Sequence, residues 1–256
     1  MNLLKTIILV IITSSLFSSA QSPTVKARLK KIGEEFKALP ETKRVEYLKY
    51  REKAFKAVQS GKYLTCLIKI NDAQVIFQND LDLIFLNGVC HAEIQDIDKA
   101  IEYYQKILAI NPHHINTLMN LVEINYFAGR YEETVKYTHL INSMIESRAN
   151  GQRMPLLDFK LLISLTKLSK ANPEKYQAEL DKIRAKYTFM DDTPFYYYAN
   201  ALESFDAGDK QEGLIWILKA YLIFKTPAMI EIWNKSLVDT GYIGAHEIMF
   251  NKQEPE

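Results

Sequence analysis

Residues whose types could do chemistry occur in three small groups, and none has a spacing that assembles a reaction centre. His113 and His114 are adjacent and directly follow Pro112. Two consecutive side chains do not converge on one metal from a helix, and no Asp, Glu or Cys stands nearby at ligand spacing. A connecting loop is the expected role. Asp191 and Asp192 precede Thr193-Pro194, which suits the start of a helix, with the carboxylates near the positive end of its dipole; catalytic carboxylates are the second reading. Cys66 and Cys90 fall on apolar stripes and read first as small buried residues. A single bridge between them is the alternative in an oxidising compartment. No glycine-rich phosphate loop, His-Glu-x-x-His pair, paired-cysteine motif or nucleophile elbow is present. No catalytic, cofactor-binding or metal-binding residue is therefore assigned, and the expectation is a protein that is not an enzyme. Asn234-Lys235-Ser236 fits a glycosylation acceptor but lies inside a predicted helix.

Aromatic residues are more informative, with 15 Tyr and 12 Phe. The run Phe195-Tyr196-Tyr197-Tyr198 opens a predicted helix, so its four rings must point around the axis and at least one must be partly exposed. Trp216 and Trp233 lie on apolar stripes and read as core.

The elements that position these residues follow from a period. Gly61-Lys62-Tyr63, Gln95-Asp96-Ile97 and Gly129-Arg130-Tyr131 recur at a step of 34 residues. Such a period marks one supersecondary unit that buries its apolar face only by stacking on the next. In each unit a first helix ends near the aligned Gly or Gln, and a second begins at Tyr63, Ile97 or Tyr131. Glycine at 61 and 129 permits the left-handed turn that ends a helix. Cys66, Ala100 and Thr134 recur at the same step, as do Ile70, Tyr104 and Thr138. A small residue lets the two helices approach closely, and a larger one four positions later fills the gap beside it. With 9 Gly and 8 Pro in 256 residues, the chain has too few turn formers for an all-β fold.

Residues 81–114 resemble a tetratricopeptide repeat. Asn87-Gly88 stands where that family has Leu-Gly, Ala100-x-x-x-Tyr104 where it has Ala-x-x-x-Phe, and Pro112 closes the unit. Ile84 replaces the usual Trp, and His91 the usual Tyr. Residues 115–148 keep Gly129-Arg130-Tyr131-Glu132-Glu133 but carry Val122 and Thr134 at the small positions. The signature returns at Gly208-Asp209-Lys210-Gln211-Glu212-Gly213. The resemblance implies an all-α fold, a right-handed solenoid of stacked helical hairpins. It divides the chain into a capping helix and the start of the first repeat helix (21–46), three repeats (47–148), a degenerate hairpin (149–193), a further hairpin with a capping helix (194–241) and a C-terminal tail (242–256).

In that family the first helices line a concave groove in which ligands lie. Transferring the groove along the alignment points to Arg51, Phe55, Phe85, Val89, Met119, Asn120, Glu123, Tyr126, Phe195 and Tyr198. The set is aromatic and apolar, unlike the Lys, Arg and Asn rows that clamp a partner's terminal carboxylate; only Arg51 and Asn120 would qualify here. The partner implied is a protein or peptide. A glycan or small ligand stacking in the same groove is the alternative.

The first twenty residues have their own reading. Lys5 precedes the apolar run Ile7–Ile12, and small residues end at Ser18-Ser19-Ala20. That order is a secretory signal peptide cleaved after Ala20, and a retained anchor is the alternative. Export to a bacterial periplasm or the extracellular space is expected, with no membrane-spanning segment left after cleavage. The chain carries 32 basic and 31 acidic residues, a balance without the footprint that nucleic-acid binding requires. The expected function is that of a non-enzymatic exported scaffold.

Overall fold

The computed structural model describes residues 22–146, 153–244 and 246. The expected signal peptide, the start of the degenerate hairpin and most of the tail lie outside them. All regular structure among the described residues is helical: α1 (Pro23–Lys37), α2 (Glu41–Gln59), α3 (Tyr63–Gln74), α4 (Leu81–Glu93), α5 (Ile97–Ile110), α6 (Ile115–Phe127), α7 (Tyr131–Glu146), α8 (Pro155–Ser169), α9 (Pro173–Arg184), α10 (Phe195–Asp206), α11 (Lys210–Phe224) and α12 (Pro227–Asp239). None of these helices is long and apolar enough to cross a membrane. The chain forms two compact units that divide between Ile124 and Asn125, within α6.

Local sequence sets the helix ends. Proline opens α1, α8, α9 and α12, where its missing N–H costs nothing. Side chains cap the free N–H groups of others: Ser22 Oγ accepts from Val25 N at 3.3 Å, Asn172 Oδ1 from Lys175 N at 3.1 Å and Asp209 Oδ1 from Glu212 N at 3.0 Å.

One turn recurs between helices. Gly61, Gln95, Gly129 and Gly208 adopt φ of 67°, 65°, 70° and 85°. In each case the next residue's N–H reaches back five positions: Lys62 to Ala57 O at 2.9 Å, Asp96 to His91 O at 2.9 Å, Arg130 to Asn125 O at 2.8 Å and Asp209 to Ser204 O at 2.8 Å. This left-handed cap satisfies the last carbonyls of one helix while reversing the chain into the next. Gln95 does so without glycine's freedom.

In the first unit, α2 packs on α3 and α4 on α5 as helical hairpins, and α3 and α2 both meet α4. Phe36 of α1 joins Tyr47 and Phe77 in a three-ring cluster, with centroids 5.1–5.8 Å apart. The core centres on Leu83, Leu86, Val89, Cys90, Tyr104 and Ile107, all essentially without exposed surface. In the second unit, α8 pairs with α9 and α10 with α11, α7 packs on α8, and the first helices α8 and α10 meet. Its core gathers Phe159, Phe195, Tyr198, Leu202, Trp233 and Leu237.

Candidate binding surface

The ten residues assigned to a groove divide by burial. In the first unit, Arg51, Phe55, Met119 and Glu123 are half-exposed. Val89 and Asn120 are wholly buried and Phe85 nearly so, which corrects their assignment to a surface. Their reason is local: Phe85 lies against Tyr104 and His114, with centroids 5.7 and 5.9 Å away, and Asn120 Nδ2 donates to Tyr104 Oη at 3.2 Å. Both side chains serve the contact around Tyr104.

Arg51 is committed to the fold from the other side. Its guanidinium lies 4.8 Å from the Phe55 ring centroid, and its Nε donates to Asp80 Oδ2 at 3.0 Å. A second nitrogen pairs with Asp82. Asp80 also accepts from the Tyr47 hydroxyl, while its other oxygen caps α4 by accepting from Asp82 N at 2.8 Å and Leu83 N at 3.3 Å. Burial, and then this carboxylate, hold the Tyr47 hydroxyl far above its usual pKa. Arg51 thus joins α2 to the start of α4, and it presents Phe55 beside it.

In the second unit, Tyr126, Phe195 and Tyr198 are buried, again a correction: Phe195 packs on Tyr187, 4.3 Å away by ring centroids, and α12 covers the two tyrosines. Trp233 of α12 lies 5.2 Å from Phe159, 6.4 Å from Phe195 and 5.4 Å from Tyr198 by ring centroids. The Tyr198 hydroxyl donates to Asn234 Oδ1, and the Tyr126 hydroxyl donates to Ser236 O at 2.6 Å. A single helix therefore touches Tyr126 near the end of α6, as well as α8 and α10, the first helices of two hairpins. Ile230, Trp233 and Leu237 form its buried i, i+3, i+7 stripe. The apolar, tyrosine-edged face expected to receive a partner is filled by the chain itself.

The aromatic run resolves as its helical position requires. Phe195 and Tyr198 point inward, whereas Tyr196 and Tyr197 are half-exposed beside Trp216. Trp216, read as core, is likewise half-exposed, with Lys219 Nζ 3.7 Å from its ring centroid. A cleft of about 420 Å³ opens between α8, α9 and α10, floored by Leu162, Leu180 and Leu202 and edged by the Lys170–Asp206 and Arg184–Glu203 ion pairs.

Of the chemical candidates, His113 and Asp192 are exposed, and the others have structural roles. His114 is the N-cap of α6: its Nδ1 accepts from Thr117 N at 3.3 Å and contacts Thr117 Oγ1 at 2.8 Å. Burial lowers its pKa against a smaller opposing pull from Asp82. Asp191 accepts from Thr188 N at 2.8 Å and pairs with Arg153 at 3.2 Å, so it fastens the loop before α10. Cys66 and Cys90 are free thiols, both buried. The Cys66 hydrogen bond, and then burial, push the Cys90 thiol up, which leaves it a poor nucleophile. Asn234 is buried against Tyr198, so the acceptor motif is closed to a glycan in this fold. Among the described residues no group of three or more His, Cys, Asp or Glu gathers at a metal site.

One polar centre was missed by the sequence reading. Asp158, inside the apolar run of α8, has no exposed surface. Its Oδ2 accepts from Tyr187 Oη at 2.6 Å and Lys186 Nζ at 2.7 Å, and its Oδ1 from Asn142 Nδ2 at 3.3 Å. The partners come from elements distant in sequence, so only a lone carboxylate among leucines marks the position. Comparison with known proteins adds no relative to this geometry: no family model, no curated protein and no solved structure matches the chain.

Proposed function

We propose that this chain is a non-enzymatic scaffold of the tetratricopeptide type, its hairpins stacked as a solenoid, that binds a protein or peptide along the first helices. The observation that carries the reading is α12. It seats an amphipathic helix on the ends or lengths of α6, α8 and α10, using Trp233 against Phe159, Phe195 and Tyr198. A face that accommodates one helix in this way has the apolar floor and the hydroxyl edge that helix-in-groove recognition uses. The repeated left-handed turns and the contact of one first helix with the next support the same reading. In the first unit the corresponding positions Phe55, Met119 and Glu123 keep exposed surface for a partner.

Export to the bacterial cell envelope or beyond rests on the order of residues 1–20. The reading is tested with photo-crosslinking amino acids at Phe55, Met119 and Glu123, in cells or envelope extract. One discrete partner captured from these positions, but not from Leu64 on α3, is the expected result. The same products from all four positions, or none, would refute the assignment. Fractionation of a tagged chain tests export separately.

A further inference from the structure

We infer that α12 is a displaceable plug, and that the partner of the second unit is an amphipathic helix carrying an aromatic anchor between two aliphatic ones. This inference rests on the scaffold reading and names the chemistry of its ligand. The contacts of α12 are those of a docked ligand. Ile230, Trp233 and Leu237 supply an i, i+3, i+7 stripe, and Trp233 reaches Phe159, Phe195 and Tyr198 at once. Large aromatic anchors of this kind dominate helix-in-groove binding.

The polar contacts fit an exchangeable occupant. Tyr126 Oη donates to the carbonyl of Ser236 at 2.6 Å, and Tyr198 Oη has Ile230 O at 3.4 Å as well as Asn234 Oδ1. Two of these acceptors are backbone carbonyls, so another helix could supply them whatever its sequence. The third requires a carbonyl or carboxylate side chain one residue after the anchor.

The connection to α11 is only Lys225 and Thr226. Lys225 holds φ 47°, a left-handed conformation that a residue with a Cβ adopts at a cost, and Thr226 is extended before Pro227. No side chain caps the start of α12. Lys225 ends α11, its N–H bonding Tyr221 O, so α12 can leave without undoing that turn and without breaking a side-chain cap. Because the plug is tethered, a competitor meets a face that is open only part of the time, and its apparent affinity falls by that fraction.

The test uses the full chain and a labelled peptide of residues 226–240. Fluorescence anisotropy should give binding to the Trp233→Ala chain at least about tenfold tighter than to the unaltered chain, because weakening the plug raises the open fraction. The same peptide with Ala in place of Trp233 should bind neither. Hydrogen exchange on the unaltered chain is the second measurement and does not depend on the variant folding. Amides of α12 should exchange through a local opening, faster than those of α8 and α10. Exchange of α12 only together with α8 and α10 would overturn the inference, as would equal peptide binding by both chains. The two readings fail separately. Local opening and peptide capture without any crosslinked partner would sink the scaffold. A partner crosslinked at Met119 with α12 locked into the core would sink the plug alone.

Discussion

Gly88 of α4 faces the ring of Tyr104 of α5 so closely that a Cβ at Gly88 would lie 2.4 Å from Tyr104 Cε1. Tyr104 has no exposed surface and is held by Asn120, so its ring has nowhere to swing. The fourth repeated turn has the mirrored arrangement: Gly213 of α11 would place a Cβ 2.4 Å from the ring of Phe205 on α10, but Phe205 is half-exposed. Gly88→Ala should therefore destabilise by about 2–3 kcal/mol through overpacking. Gly213→Ala should cost about 1 kcal/mol or less, because the ring can rotate outward and alanine favours the helix. Urea unfolding of both variants checks the contrast, and equal losses would deny it.

Gln95 is the one residue with a side chain among the four repeated left-handed turns, at φ 65°. Gln95→Gly should stabilise the chain by about 0.5–1 kcal/mol, the relief at φ above zero less the added freedom of the unfolded glycine. Gly61→Ala, at φ 67°, should instead destabilise by about 1 kcal/mol. A thermal scan of both variants decides.

Asp158 is buried with three donors around it. Removing the carboxylate strands Lys186 and Tyr187, so Asp158→Ala should cost about 3 kcal/mol. Tyr187→Phe removes one hydrogen bond and should cost about 1 kcal/mol. Denaturant midpoints measure both, and a loss of similar size for each would mean that Lys186 and Asn142 add nothing to the Tyr187 bond.

His114 gives a pH dependence of definite sign. Its Nδ1 serves as acceptor at the start of α6, and burial holds the folded-state pKa below the ordinary value of 6.5. On acidification the unfolded chain takes up the proton first, near pH 6.5, while the folded chain resists. Stability should therefore fall as pH drops below 6.5 and stop falling once the lower folded pKa is passed. His114→Asn keeps a cap acceptor without the titration, and should flatten that part of the stability–pH curve.

Local rules were readable along the chain where the period holds. Second helices begin at Tyr63, Ile97 and Tyr131 as the 34-residue step required, and the turn returns at Gly208. The surface was less readable. Arg51, Phe85, Met119 and Tyr198 each stand ten residues before a left-handed turn, yet the first and third are half-exposed, Phe85 is nearly buried and Tyr198 is wholly so. Position within a repeat says which way a side chain points. It does not say what later segment will arrive there, and Tyr198 is covered by Trp233 and Asn234, more than thirty residues on. Asp158 escaped for a related reason, since its donors Asn142, Lys186 and Tyr187 are fixed by tertiary packing alone.

Asp80 divides its two oxygens between different tasks. One begins α4, and the other receives Tyr47 and Arg51 from α2. Starting that helix and docking it on α2 are thus a single event. A chain whose hairpins each capped themselves could fray one at a time from its N-terminal end. Here α2 cannot detach without also loosening the first turn of its neighbour, so the opening members of the array should melt together as one foldon.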